Sequence, residues 1–420
     1  MSEVKTYRLT PPARLDATVV LPASKSISNR SLVIHAITGS GPLPENLSDC
    51  DDTEVIIDAL RHNPDVIDIK AAGTAMRFMT AYLSATPGEH VITGTERMRH
   101  RPIGILVDAL RFLGADIEYT GAEGYPPLRI RGRQLDGGHI DVDGHVSSQY
   151  ISALLLIGPV LRNGLELRLT GDIISRPYID LTLGVMQAFG AEAEWSDVDI
   201  ISVRPKPYRE RPYLIENDWS AASYWYEMMA LTEDPDASLR LEGLMDASMQ
   251  GDAAARYLFS LLGVKTVFAS RERGVPTTVT IRKSSTHVPR LDYDFVNAPD
   301  LAQTFVVCCC MKEIPFRFTG LSTLKIKETD RIAALKNEMR KLGFVLRDEE
   351  NGSILIWDGE RCEASSEPID TYEDHRMALA MAPACIRRPG LAVRRPEVVS
   401  KSYPHFWEDL VRAGYKVEET

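Results

Sequence analysis

Five times along this chain an amphipathic stretch ends in the same way. LRFLGADIEY surrounds Gly114, MQAFGAEAEW Gly190, FSLLGVKTVF Gly263, MRKLGFVLRD Gly343 and LVRAGYKVEE Gly414. Each reads as a helix with one apolar face, a glycine able to take the left-handed conformation that stops a helix, and a short strand. Successive glycines are 76, 73, 80 and 71 residues apart. This spacing predicts a module repeated along the chain, and few folds accommodate such a repeat. A sixth, degenerate copy comes first: DALRHNPDVIDI carries Asn63-Pro64 at the stop, and asparagine also tolerates the left-handed region.

A second set of helices alternates with the first. They begin near Ser24, Gly73, Ser147, Asp218, Pro299 and Glu373, and are apolar nearly all round, as in ISALLLIGPVL after Gln149 and TFVVCCCM after Gln303. Helices of that kind are buried inside a domain. The alternation predicts an α/β fold of six βαβαββ-like modules, with helices inside and sheets outside. Six modules divide naturally into two three-module lobes. The breaks are expected at Pro22-Ala23 and in the proline-rich RPKPYRERPY, residues 204–213. One lobe would then be residues 23–213. The other would be 1–22 plus 214–420, with the N-terminal strand joining the C-terminal lobe. A continuous solenoid is the alternative.

The net charge of −11 argues against a general nucleic-acid binder, which needs a dominant basic surface. It permits a local basic site, because screening confines electrostatics to about 10 Å. Cys308, Cys309 and Cys310 are consecutive in an apolar run, which suits buried free thiols in a reducing compartment better than disulfides. There is no Cys/His spacing suited to zinc. With no secretory pattern and no apolar run of ~18 residues, a cytosolic protein without membrane or nucleic-acid partners is expected, a monomer by default.

Chemistry collects at the helix starts. In LPASKSISNRS, residues 21–31, a Ser-capped start places Lys25, Ser26 and Arg30 beside unpaired backbone N–H groups and the positive end of the helix dipole, a setting for phosphate or carboxylate. The other starts present Gly73, Thr74 and Arg77; Ser147, Ser148 and Gln149; Asp218 and Ser220; Asp300 and Gln303; and Asp374, His375 and Arg376. The amphipathic set adds Arg101, Arg176, Lys327, Glu328, Arg331 and Lys401. If like ends of repeated helices face the same way, Lys25, Arg30, Arg101, Lys327, Arg331, Arg376 and Lys401 converge on one strongly cationic interlobe cleft. That predicts small, multiply anionic substrates held by charge-assisted hydrogen bonds. Plainer readings stand beside these. Arg176 reads as a solvated residue, His375 can be a structural histidine, Ser147–Gln149 can be only a cap, and KETDR can be a solvated first turn. AAGTAMR lets backbone approach a ligand at Gly73, but neither GxGxxG nor GxxxxGK[ST] occurs. GSGPLPENL after Thr38 reads as a turn.

LPASKSISNRS, AAGTAMR, RHRPIG, VDGHVSSQY, SRPYIDLT, DWSAASY, SMQGD, KETDR, YEDHRMA and SKSYPHFW together resemble, in order, the blocks of the 5-enolpyruvylshikimate-3-phosphate synthase family. The resemblance covers residues 21 to about 407 and implies a two-lobed inverse α/β barrel. It also implies transfer of the enolpyruvyl group of phosphoenolpyruvate to the 5-hydroxyl of shikimate 3-phosphate, without a cofactor or metal. By the same resemblance, Lys25, Ser26, Arg30, Ser147, Ser148, Gln149, Ser175, Tyr178, Asp300 and Lys327 would hold shikimate 3-phosphate. Lys25, Gly73, Arg101, Gln149, Arg331, Arg376 and Lys401 would hold phosphoenolpyruvate. Asp300 would accept a proton and Glu328 donate one, and lobe closure would bring Lys25 and Arg101 to them. Ala71 stands where the family usually has Asn, Phe78 where it has Pro, and Thr323 near an expected Asn, all bearing on the shape of the phosphoenolpyruvate pocket and on glyphosate sensitivity. Two rivals are an enolpyruvyl transferase acting on a UDP-sugar and a non-catalytic anion-binding protein. The first would need a reactive loop cysteine, for which Cys50, in LSDCDD, is poorly placed. The second would be favoured by loss of Asp300 or Glu328.

Overall fold

The computed structural model describes residues 4–272 and 274–420. All six stops take the left-handed conformation: φ is 42° at Asn63, 102° at Gly114, 83° at Gly190, 89° at Gly263, 93° at Gly343 and 92° at Gly414. A short strand follows each, from Val66–Asp68 after the first to Lys416–Glu419 after the last.

The chain divides into two compact units, Ala23–Ile215 and Met1–Pro22 with Glu216–Thr420. The second crossing lies two residues beyond the expected break at 213/214. Leu214 bridges Glu45, and the Ile215 amide donates to the Glu45 carbonyl at 3.1 Å, so both residues stay with the first unit.

The unit Ala23–Ile215 contains two four-stranded sheets. One runs in the order Val66–Asp68, Gly88–Thr93, Leu128–Gly132, Asp116–Tyr119; the other Gly138–Asp143, Leu165–Thr170, Ile200–Val203, Ala193–Trp195. The first two strands of each are parallel and the rest antiparallel. A parallel pair needs a crossover, and the helices Gly73–Ala85 and Ser148–Ile157 supply it. Both are buried on most of their surface. Strand Leu165–Thr170 alternates buried and exposed residues, so its sheet covers the helices on one face only.

The other unit follows the same plan with borrowed strands. Leu291–Asp294, Phe316–Thr319, Ile354–Trp357 and Arg347–Glu349 form a third complete sheet. In the fourth, Asp16–Val20 pairs in parallel with Ser238–Leu244. In the fifth, Thr6–Thr10 lies between Leu391–Arg394 and Lys416–Glu419, antiparallel to both. Strand pairing therefore assigns the N-terminal segment to this unit. Its helices are the most enclosed: every residue of Ala302–Met311 and His375–Met381 is buried. Cys308, Cys309 and Cys310 lie among them as free thiols.

The first of the six modules departs from the βαβαββ pattern. Helix pairs recur six times, but the described residues contain five sheets. The first module has helices Lys25–Thr38 and Asp51–His62, joined by a segment holding Gly39, Gly41, Pro42 and Pro44. Prolines cannot donate to a ladder and glycines weaken one, and Glu45 pairs there with Leu214 as an isolated bridge. Among the described residues no helix is long and apolar enough to cross a membrane.

The left-handed stops carry a testable cost. At Gly114 an added Cβ would approach nothing closer than 3.8 Å, so Gly114→Ala isolates the backbone term. We expect a loss of about 1–2 kcal/mol in urea unfolding; unchanged stability would contradict the role assigned to the stop.

Candidate active site

The expected site residues form one group in each unit. In the unit containing Glu216–Thr420 the centre is Arg331, the first residue of helix Arg331–Lys341. Asp330 caps that helix, accepting from the Ile332 and Ala333 amides at 3.1 Å each, and this turns the next side chain inward. The guanidinium is buried and reaches three carboxylates. Its Nε donates to Asp374 Oδ2 at 2.7 Å, Nη1 to Asp300 Oδ1 at 3.0 Å and Nη2 to Glu328 Oε2 at 2.9 Å. KETDR is therefore not a solvated first turn.

Each carboxylate also meets another cation or helix. Asp300, in the turn Pro299–Leu301 that leads into helix Ala302–Met311, accepts from Arg376 Nη2 at 3.0 Å, and Lys327 Nζ is 3.6 Å away. Glu328 Oε1 accepts from Lys401 Nζ at 2.7 Å. Asp374 caps helix His375–Met381 through the Arg376 amide at 2.9 Å. Burial opposes the Asp300 charge, but Arg376, Lys327 and Arg331 outweigh it and hold the carboxyl far below the usual carboxylate range. Burial likewise opposes the Arg331 charge, while Asp374, Glu328 and Asp300 raise its pKa overall. All six residues expected here, Asp300, Lys327, Glu328, Arg331, Arg376 and Lys401, thus share one network.

The network differs from a bare cationic pocket. Its four cations are matched by Asp300, Glu328 and Asp374 on the direct contacts above, with Asp252 behind them. Charges this buried persist only when paired and hydrogen-bonded. The sequence reading names Asp374 only as a helix-start residue and Asp252 not at all, although YEDHRMA and SMQGD contain them. Arg376 also donates to Tyr224 Oη at 3.3 Å and to Ser220 Oγ at 3.5 Å, and Ser220 donates to Asp252 Oδ2. Burial pushes the Asp252 carboxyl up to about 6, with Arg376 pulling the other way.

In the unit Ala23–Ile215, Lys25 opens helix Lys25–Thr38 and donates to Asp52 Oδ2 at 3.1 Å. Arg30 turns inward. Its Nε donates to Thr182 Oγ1 at 2.7 Å, Nη1 to the Ser26 carbonyl at 2.8 Å, and Nη2 to Ser152 Oγ at 3.1 Å and the Tyr178 carbonyl at 3.3 Å. Its guanidinium also lies 5.3 Å from the centroid of Phe78. Phe78, one of the departures from the family pattern, is thus a buried cation–π partner here. Arg30 ties the helices together in this state and does not present an open fork to a ligand.

Arg101 lies against Gly73 so closely that a Cβ there would meet its Nη1 at 2.8 Å. Arg77, buried, donates to the Gly73 carbonyl and the Pro102 carbonyl, both at 3.1 Å, tying the residues beside Arg101 to this helix start. Gln149 Nε2 donates to Thr74 Oγ1 at 3.1 Å. Ser147 Oγ accepts from the Gln149 amide at 3.4 Å, so its cap and its exposure at the helix start coexist. Ser148 is the first residue of that helix. Ser175 takes φ 54° just before helix Arg176–Ala188. Arg176 covers the Trp195 ring at 3.9 Å and donates to the Val198 carbonyl, which fits the plainer reading. His375 is buried, with Nδ1 3.7 Å from Asp374 Oδ1.

Asp252 supplies a pH test. Its carboxyl keeps its proton in the fold up to about pH 6, whereas an unfolded Asp loses it near about 3.9. The folded state binds more protons in that window, so this group makes stability fall as pH rises through it. Asp252→Asn removes the titration. We expect the variant's stability relative to the unsubstituted chain to be higher at about pH 8 than at about pH 4.5, by roughly 1–3 kcal/mol in urea unfolding. A difference that does not change with pH would overturn the assignment.

Comparison with known proteins identifies the family. Residues 61–410 match the family model for EPSP synthase (3-phosphoshikimate 1-carboxyvinyltransferase). A 3-phosphoshikimate 1-carboxyvinyltransferase of Bacteroides fragilis is 59% identical over 413 residues, 98% of each chain. One from Photobacterium profundum is 32% identical over 435 aligned residues, covering 97% of this chain and 98% of that one. Among solved structures, an EPSP synthase from Acinetobacter baumannii aligns with TM-score 0.78 at 21% identity, over 99% of this chain and 100% of that one. The enolpyruvyl transferase NikO from Streptomyces tendae aligns with TM-score 0.72 at 16% identity, over 100% of this chain and 99% of that one. The fold is shared with both, and the chain belongs to the EPSP synthase family.

Proposed function

We infer that this protein transfers the enolpyruvyl group of phosphoenolpyruvate to the 5-hydroxyl of shikimate 3-phosphate and releases phosphate. The observation that carries this reading, beside the family, is that Asp300 and Glu328 are held on one guanidinium, that of Arg331, at 3.0 and 2.9 Å. Two carboxyl groups so fixed suit an addition–elimination. Asp300 takes the proton of the attacking hydroxyl as oxygen bonds to C2 of the enol, and Glu328 delivers a proton to the methylene carbon. Elimination then returns a methyl proton to Glu328 as the C2–O bond to phosphate breaks, and the proton held by Asp300 passes to the departing phosphate oxygen. Arginine and lysine side chains stabilise the negative charge that accumulates.

Lys25, Ser26, Arg30, Ser147, Ser148, Gln149, Ser175 and Tyr178, with Asp300 and Lys327, form the proposed set for shikimate 3-phosphate. Lys25, Gly73, Arg101, Gln149, Arg331, Arg376 and Lys401 form the set for phosphoenolpyruvate. For Arg30 this requires it to exchange one of its present acceptors or to act by positioning Ser26 and Tyr178. An incoming carboxylate or phosphate would compete for Lys401 and Arg331, relieving Glu328 of its two cations and letting it carry the proton it must give. Phosphoenolpyruvate brings its own leaving group, so the proposed reaction needs no cofactor. A cytosolic monomer is part of the proposal.

The UDP-sugar reading is disfavoured by Cys50, which is fully buried and whose thiol burial pushes up. A reactive thiolate needs the opposite setting.

Phosphate release from phosphoenolpyruvate, with and without shikimate 3-phosphate, tests the reading. We expect release only with both substrates, and a fall of about 10²–10⁴-fold in kcat for Asp300→Asn or Glu328→Gln. Near-normal turnover in both variants would reject the acid–base assignment. Gly73→Ala displaces the Arg101 guanidinium and should raise KM for phosphoenolpyruvate about tenfold or more, with KM for shikimate 3-phosphate nearly unchanged. An equal rise in both would place Arg101 elsewhere.

A further inference from the structure

Two stretches of the sequence, DWSAASY and SMQGD, have no part in the proposed reaction, yet the fold sets them side by side next to Arg376. Asp218 caps helix Trp219–Leu231, its Oδ1 accepting from the Ala221 amide at 2.9 Å. Gln250 stitches the second stretch to that helix start. Its Oε1 accepts from the Trp219 amide at 3.1 Å, and its Nε2 donates to the Asn217 carbonyl at 2.8 Å. The chain then turns through Gly251–Ala254, which brings Asp252 against Ser220, the second residue of the helix.

The result is a seat for one guanidinium. Ser220 and Tyr224 are four residues apart and so share a face of the helix. Arg376 Nη1 donates to Tyr224 Oη at 3.3 Å, and Nη2 to Ser220 Oγ at 3.5 Å and to Asp300 Oδ2 at 3.0 Å. A hydroxyl has one proton and two lone pairs. The Ser220 proton goes to Asp252 Oδ2, which leaves the lone pairs to face Arg376. Asp252 is 2% exposed. Its carboxyl, pushed by burial up to about 6, is ionised at about pH 8, where it can only accept. Without that acceptor the hydroxyl can turn its proton toward Arg376, and donor then meets donor. Asp300 alone holds one guanidinium nitrogen; acceptors on both Nη atoms fix the plane, and the plane decides how an arginine meets a flat anion.

We propose that Asp252, acting through Ser220, is a positioning residue for Arg376: it orients the hydroxyl that fixes the plane in which the guanidinium meets phosphoenolpyruvate. The identity of that anion rests on the reading above. The hold of Asp252 on the guanidinium does not.

Two measurements keep these apart. With arginine side chains labelled with ¹⁵N, a guanidinium held at both nitrogens gives separate Nη signals, and one that rotates gives a single averaged signal. We expect separate signals for Arg376, identified by their loss in Arg376→Lys, and coalescence in both Asp252→Asn and Ser220→Ala. An averaged signal in the unsubstituted chain, or separate signals kept in both variants, would overturn the proposal whatever the activity. In phosphate release at about pH 8, each variant should raise KM for phosphoenolpyruvate about tenfold, with KM for shikimate 3-phosphate nearly unchanged. The double variant should be no worse than the weaker single one, because the two residues act in series. Additive losses, or an equal rise in both KM values, would reject the route through Ser220. If the unsubstituted chain releases no phosphate, the substrate assignment fails, and the nitrogen signals still decide the role of Asp252. The two substitutions lie in different segments, so one variant that folds is enough for the nitrogen test.

Discussion

One buried guanidinium holds the helix starts of the unit containing Glu216–Thr420 in register. Arg331 touches Asp300, Glu328 and Asp374, which enter from three separate segments of chain. Taking these charges out of water is costly, and only close, well-directed hydrogen bonds offset it. The arrangement is therefore cooperative: losing one carboxylate leaves charge uncompensated for the rest. The turn at Pro299–Leu301, the loop before Arg331 and the start of helix His375–Met381 are consequently bound to arrive together. The two carboxyl groups proposed for proton transfer gain fixed positions from the same bonds that stabilise the fold.

The unit Ala23–Ile215 solves a related problem with neutral acceptors. Arg30 and Arg77 are buried, and their donors go to hydroxyl and carbonyl oxygens, with a methionine sulfur at longer range. No carboxylate is spent on either through these bonds. Burial pulls the Arg30 guanidinium down to about 10, which leaves it charged at neutral pH. Positive charge is thus retained in the interior, beside helix starts whose unpaired amides also favour anions. Lys25 and Arg101 remain partly exposed at those starts. The two units thus hold buried guanidinium groups differently, Arg331 on carboxylates and Arg30 on hydroxyl and carbonyl oxygens.

Much of the scaffold was legible before any coordinates. The six left-handed stops could be read because a stop is a local event, decided by one residue's allowed φ and the apolar period preceding it. Buried helices could be read for a similar reason, since a stretch apolar all round has no face to show to water. The sheets were less legible. Nothing local in Thr6–Thr10 or Asp16–Val20 says that they pair with Leu391–Arg394 and Ser238–Leu244, and nothing local says that the first module lacks a sheet of its own.

The sequence by itself determined which residue types stand at the helix starts, and hence the anionic character of what the protein binds and the family to which it belongs. Only the tertiary structure decided their partners: that Arg30 faces Thr182 and Ser152 across more than a hundred residues of chain, that Lys25 rests on Asp52, and that the cations around Arg331 meet acids instead of standing bare. The physical reason is the range of the interactions involved. Caps and stops act within a turn of helix, whereas a buried charge takes its partner from whatever segment packing brings within hydrogen-bond distance, and that choice is made by the whole core at once.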